Sequence, residues 1–202
     1  MSGAIAILDY GIGNLASVEK AFAAVGARAT LVRDPAEVAR SRAIVLPGVG
    51  NFGHCSRAFF GSGLAEPARE AIAAGVPLLG ICVGMQLLFE RSEEDGAAPG
   101  LGVIPGVVRL MRDAPRVPQT GWNTVDLVGA HPWLEGLRSG RHFYFVHSYA
   151  PETSAEVVLG TVDYGGPRIA IVGSARVLGV QFHPEKSGAD GLGLLSSFAH
   201  AA

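Results

Sequence analysis

Four short apolar runs, each followed by a turn and a stretch of helical pattern, constrain the fold of this chain more than anything else in it. The runs cover residues 4–8, 29–32, 43–46 and 76–81. The helical stretches cover residues 15–25, 36–40, 65–74 and 83–91, with Gly75 placed to cap the third. Within each run nearly every residue is apolar, rather than every second one. Strands of that kind are covered on both faces, as in a parallel sheet with helices above and below it. Strand and helix alternating at this spacing predict an α/β sheet joined by right-handed crossovers.

The second half has a different texture. Residues 103–110, 122–128, 142–149, 157–162, 168–172 and 177–182 read as strands, and helical pattern returns only at 190–200. The expectation is one α/β domain over residues 1–202: an open mixed sheet, mostly parallel, flanked by helices, with an antiparallel addition in the second half. Residues 91–99 are the most polar stretch and read as a mobile loop. Hydrophobic residues make up 49% of the 202, charged residues 17%, and the net charge is −2, which excludes a disordered chain and argues against a nucleic-acid partner. The mean hydropathy of +0.32 is accounted for by buried strands, since no apolar run approaches the roughly 18 residues of a membrane helix. The first residues lack a basic segment and reach Asp9 early, so no secretory leader is expected. The two cysteines, Cys55 and Cys82, cannot build a disulfide framework. Both readings point to the reducing cytoplasm.

Gly80-Ile81-Cys82-Val83-Gly84 closes the fourth run and opens a helical stretch. This G-x-C-x-G is the thiol counterpart of the nucleophile elbow. Small residues two before and two after the cysteine permit a tight strand-to-helix turn. The turn sets the sulfur beside a helix N-terminus, which favours thiolate. A free cysteine titrates near about 8.5, so a nucleophile needs such help at neutral pH. The competing reading is a buried, inert cysteine.

Gln181-Phe182-His183-Pro184-Glu185 follows the last apolar run. His183 can take a thiol proton and later protonate a leaving amine. Glu185, on the far imidazole nitrogen, would fix the tautomer and stabilise the imidazolium. Alone, the segment also reads as a surface turn with an incidental histidine; the G-x-C-x-G in the same chain favours the catalytic reading. Pro47-Gly48-Val49-Gly50 closes the third run. Its amides, with that of Val83, can form an oxyanion hole, or the segment is an ordinary tight turn. Gly11-Ile12-Gly13-Asn14-Leu15-Ala16, with Asp34 after the second run, outlines a dinucleotide fingerprint. Its alternative is a glycine turn with Asn14 as N-cap. Gln86 shares the helical face of Cys82, either touching a ligand or facing solvent. His147 and Ser148 lie in a strand-like run where either can be structural, and Cys55 has no elbow and reads as structural. The histidines show no metal-ligand spacing and there is no C-x-x-C, so no metal is expected.

These motifs together resemble the class I glutamine amidotransferases, which use a Cys-His-Glu triad to hydrolyse the side-chain amide of glutamine and release ammonia. Residues 47–53 read PGVGNFG, 80–90 GICVGMQLLFE, 144–149 YFVHSY and 181–187 QFHPEKS. That wording is similar to the branch of glutaminase subunits that serve imidazole glycerol phosphate synthesis, in histidine biosynthesis. The motifs lie between residues 9 and 187, so the resemblance covers nearly the whole chain. It implies Cys82 as nucleophile, His183 as general base and acid, and Glu185 as its orienting partner. It implies that Gly50 and Gln86 contact L-glutamine, that Glu94 meets its α-ammonium, and that His147, Ser148 and Tyr149 line the same pocket. Val49 would belong to an oxyanion strand that reorients before the hole forms. No cofactor is implied. The implied partner is a (β/α)8-barrel cyclase that receives ammonia through an internal tunnel, in a heterodimer. Asn14, Trp122, Tyr144 and Lys186 match positions at or near that interface. One departure is Pro118-Gln119-Thr120-Gly121-Trp122-Asn123, where many members read PHMGWN, which sets an amide beside the implied interface in place of an imidazole.

Three other readings compete. Another class I subunit, for example of vitamin B6 biosynthesis, is disfavoured by the PGVG and QFHPEKS wordings. A dinucleotide-binding module would use residues 11–16. A redox or chaperone-like relative with the same elbow would have no need of the His183/Glu185 pair.

Overall fold

A computed structural model describes residues 3–201. Met1, Ser2 and Ala202, which enter the leader and domain expectations, lie outside the described residues. The first half runs β1 (Ile5–Leu8), α1 (Leu15–Ala24), β2 (Ala29–Val32), α2 (Pro35–Val38), β3 (Ala43–Gly48), α3 (Phe52–Gly61), α4 (Ala65–Ala73), β4 (Leu78–Cys82) and α5 (Val83–Gln86). The second runs β5 (Arg91–Ser92), β6 (Val107–Leu110), β7 (Gln119–Leu127), β8 (Arg141–His147), β9 (Tyr149–Glu152), β10 (Val158–Asp163), β11 (Pro167–Ser174), β12 (Val177–Val180) and α6 (Gly188–Ala201).

Nine strands form one sheet in the order β2-β1-β3-β4-β12-β11-β10-β7-β8, and β5-β6-β9 form a small second sheet. β2, β1, β3, β4 and β12 are mutually parallel. From β12 to β8 every neighbour is antiparallel. The large mixed sheet is as expected, but its antiparallel part is as extensive as the parallel part. The runs in β1, β3 and β4 are buried throughout, because helices cover both faces. Right-handed crossovers put α1 on one face and α2, α3 and α4 on the other. Among the described residues no helix is long and apolar enough to cross a membrane.

Several expectations need correction. The helix after Cys82 stops at Gln86 instead of reaching residue 91. Leu87, Leu88 and Phe89 are all fully buried, so that stretch has no polar face and turns inward instead of continuing along the surface. Residues 91–99 do not hang free: Arg91–Ser92 is strand, Ser92 is buried, and its N–H donates to the Ala98 carbonyl at 3.0 Å. The strand read at 103–110 begins only at Val107, and the run at 142–149 breaks at Ser148 into β8 and β9. α3 was not anticipated; Asn51 caps it, its side chain accepting from the His54 N–H at 2.8 Å.

Of the two readings of residues 11–16 the glycine turn holds, with Gly11 and Gly13 at positive φ, and the dinucleotide reading gains no support. The Asp9 carboxylate accepts from the Gly11 N–H at 3.1 Å and pairs with Arg33 at 2.7 Å. An anion of the chain itself thus occupies that amide. Asp34 caps α2 through the Ala36 N–H, and Asn14 stands at the N-cap of α1 without a side-chain capping bond.

Candidate active site

β3, β4 and β12 lie side by side, and their carboxyl ends bring the three sequence motifs together. Gly48 is in register with Cys82, and Val180 with Ile81. Crevices outside the carboxyl ends of such strands are where open α/β sheets bind ligands. Cys82 has φ 55° and ψ −113°, a left-handed conformation strained for a residue with a Cβ. The neighbouring glycines are required by contact. A Cβ on Gly84 would stand 1.8 Å from the Leu46 carbonyl oxygen, and one on Gly80 would stand 2.9 Å from the Met85 nitrogen. No other residue type lets β3 approach the elbow this closely.

His183 follows β12 and is a hydrogen-bonding neighbour of the Cys82 thiol. Its Nδ1–H donates to Glu185 Oε1 at 2.8 Å, and both side chains are almost wholly buried. Burial on its own would lower the histidine pKa. The Cys82 thiolate and the Glu185 carboxylate outweigh it and push His183 up to about 9. The imidazole therefore holds its proton at neutral pH, next to the sulfur. Because α5 is a single turn, its dipole adds little, and the imidazolium is the main cation at the thiol.

The segment carrying His183 is sewn to β8. The His183 N–H donates to the Tyr144 carbonyl at 3.0 Å, the Ser187 hydroxyl donates to the His183 carbonyl at 2.6 Å, and the Tyr144 N–H donates to the Ser187 hydroxyl at 3.0 Å.

A cavity of about 370 Å³ opens over Cys82. Val49, Gly50, Val83, Gln86, Glu94, His147, Ser148, Tyr149 and Lys186 all line it, as do Cys82 and His183. Glu185 stands behind His183, away from the cavity. The sequence reading missed Pro118 and Val146 on the cavity wall, and Gln181 beside the Cys82 thiol. Gln181 is fully buried and points its Nε2 at the Cys82 sulfur, 3.8 Å away. A glutamine closing an otherwise apolar strand was the available signal.

Gln86 does not face solvent. Its Nε2 donates to the Tyr149 carbonyl and to Gln181 Oε1, each at 3.0 Å, so that amide nitrogen is engaged within the protein. Glu94 Oε2 accepts from the Phe52 N–H at 2.8 Å, at the start of α3. His147 donates from Nδ1 to the Tyr149 carbonyl at 2.9 Å. Burial lowers its pKa to about 4, which keeps it neutral beside the His183 cation. Gln119 is opposite His147 in the β7–β8 ladder and is fully buried, so the amide that replaces the imidazole of the PHMGWN wording lies in the interior, while the neighbouring Thr120 is exposed.

Trp122, Tyr144 and Lys186 form one surface group. The Trp122 and Tyr144 rings are 6.2 Å apart, and Lys186 Nζ lies 5.9 Å from the centre of the Tyr144 ring. Trp122 is 54% exposed. Asn14 stands at the N-cap of α1, a helix in contact with the turn that carries Lys186.

The glutamine amidotransferase class-I family matches this chain over residues 6–201. The chain belongs to that family. Among its curated relatives is the imidazole glycerol phosphate synthase subunit HisH of Salinibacter ruber, 49% identical over 201 residues, covering 96% of this chain and 92% of the relative. The HisH subunit of Syntrophotalea carbinolica is 47% identical over 203 residues, covering 96% of this chain and 98% of the relative. A crystal structure of a glutamine amidotransferase superposes with a TM-score of 0.76 at 22% identity, covering 96% of this chain and 99% of that one, and supports the fold. Together the family match and the HisH relatives make this chain a class I glutamine amidotransferase of the HisH type.

Proposed function

We propose that the chain works as one glutaminase domain, hydrolysing L-glutamine through Cys82, His183 and Glu185 and passing ammonia to a (β/α)8-barrel cyclase subunit in histidine biosynthesis. The carrying observation is the elbow cysteine at positive φ facing a buried histidine held at 2.8 Å by a buried carboxylate, beneath a cavity of about 370 Å³. That volume lies in the range of small-molecule sites.

The Cys82 thiolate attacks the δ-carbon of glutamine, and the carbonyl π pair moves onto oxygen. Amides of Val83, Val49 and Gly50 receive that oxyanion. The tetrahedral intermediate collapses, the C–N bond breaks, and His183 delivers its proton to the departing ammonia. Water, deprotonated by the now neutral His183, attacks the glutamyl thioester. Glutamate leaves and the thiolate is restored. Glu185 orients the imidazole and stabilises its charge through both steps. Gln86, Glu94, His147, Ser148 and Tyr149 position the amino-acid end of the substrate.

Trp122, Tyr144 and Lys186 are the surface offered to the partner, with Asn14 at its margin. An exposed tryptophan beside a tyrosine and a lysine is the composition of an interface anchor. Tyr144 is bonded through its backbone to His183 and Ser187, so a partner pressing on this group acts directly on the catalytic segment.

The test is glutamate release from glutamine by the chain, alone and with the cyclase and its nucleotide ligand, beside a Cys82→Ala variant. Release that is stimulated by the partner and absent from the variant is expected. Release by Cys82→Ala at the wild-type rate would overturn the assignment.

A further inference from the structure

Tyr10 lies just past β1 and Cys55 lies inside α3, and both reach the segment at the end of β3. The Tyr10 hydroxyl donates to the Pro47 carbonyl at 2.6 Å, and the Cys55 thiol donates to the Val49 carbonyl at 3.2 Å. The two side chains are also within hydrogen-bonding reach of each other. The Pro47 and Val49 carbonyls belong to the peptide units on either side of the one joining Gly48 to Val49. That middle unit carries the Val49 N–H. Gly48 is closed in as well: a Cβ there would stand 3.0 Å from the Tyr10 hydroxyl oxygen and 2.7 Å from the Gly84 nitrogen.

We propose that Tyr10 and Cys55 are positioning residues, a clamp that fixes the two outer peptide units of the oxyanion strand and leaves the Gly48–Val49 unit alone to aim its N–H. The inference rests on the oxyanion role proposed above for Val49. Neither residue lines the cavity, so neither touches substrate. Each has one proton to donate, and each donates it to a carbonyl. Burial raises the Tyr10 pKa well above its ordinary value and pushes Cys55 up to about 11, so both remain donors throughout the neutral range. Removing either donor unpairs a buried carbonyl and loosens the strand. The oxyanion bond strengthens in the transition state, so loosening it lowers kcat and leaves KM in place.

The experiment measures steady-state glutamate release by the complex with the cyclase partner and its nucleotide, for wild type, Tyr10→Phe, Cys55→Ala and Cys55→Ser. Losing an oxyanion donor outright costs about 10²–10³ in kcat, and a donor that is present but loosely held is expected to cost about tenfold, with KM for glutamine held within about twofold. Cys55→Ser keeps a donor toward Val49 and is expected to recover most of the rate lost in Cys55→Ala. Alkylation of Cys82 by iodoacetamide is expected to proceed at the wild-type rate in every variant, because the elbow and triad are untouched. Wild-type kcat in both Tyr10→Phe and Cys55→Ala would overturn the clamp. So would a rise in KM at constant kcat, or alkylation slowed as much as turnover. If Cys55→Ala fails to fold, Tyr10→Phe, which removes a single oxygen atom, decides alone. Wild type and Cys82→Ala in the same assay separate the two failures. An inactive wild type or an active Cys82→Ala defeats the proposed mechanism; normal controls with unaffected clamp variants defeat only the clamp.

Discussion

Cys82 and Cys55 are both free and both buried, at 2% and 0% exposure, and both stand beside the segment that ends β3. Their surroundings could hardly differ more. Cys82 ends a central strand in a left-handed conformation, with a histidine cation held against it. Cys55 sits in the regular interior of α3, where burial drives the thiol pKa up to about 11 and its proton goes to a backbone carbonyl. Exposure does not distinguish the two sulfurs. Backbone position and a paired imidazolium do, and both are products of where β4 and β12 end.

The largest effect on this contrast is expected from Cys82→Ala. Glutamate release by the complex falls to the uncatalysed background, while cyclisation supplied with ammonium salt continues at the wild-type rate. Next comes His183→Ala, which removes the proton carrier and is expected to cost roughly 10²–10⁴ in kcat. The free chain is then expected to be slower than the complex with cyclase and nucleotide by about 10²–10³, the worth of one oxyanion donor, measured as glutamate release under each condition. Equal rates within a few-fold would mean a permanently assembled hole. The smallest change is Glu185→Gln, less severe than His183→Ala. Its signature is in the pH profile: the carboxylate helps hold His183 at about 9, and the alkaline limb of kcat/KM follows loss of that proton. Removing the negative charge lets the imidazolium deprotonate more easily, so the limb moves to lower pH. A limb that stays put would remove Glu185 from the role.

The parallel half was legible because a strand covered on both faces must be apolar throughout, and β1 and β3 fall almost where their runs do; the run 29–32 also forms β2, but at the edge of the sheet, where Leu31 is 40% exposed and the expectation of cover on both faces fails. The elbow was legible because contact with Leu46 and Met85 forces glycine at positions 84 and 80. The length of α5 was not, since a wholly apolar stretch such as Leu87–Leu88–Phe89 carries no period that separates a continuing helix from a buried turn. The β5-β6-β9 sheet escaped because it joins residues 16 to 45 positions apart in the sequence, and Arg91–Ser92 has no apolar pattern. Gln181 escaped because its importance is purely spatial: it reads as the end of a strand until β12 is laid against β4. The Arg91–Pro99 stretch is polar without being free: the Glu94 carboxylate accepts from the Phe52 N–H and the Glu94 N–H donates to the Ser92 hydroxyl, order that a polar composition does not reveal.

The most direct measurement treats the complex with a diazoketone analogue of glutamine, which alkylates the nucleophile that attacks it, and maps the label by peptide mass spectrometry. The expected result is one label per chain, on Cys82, with glutamate release lost in proportion to labelling and Cys55 unmodified. Label on Cys55, or full labelling of Cys82 with undiminished glutamate release, would contradict the account.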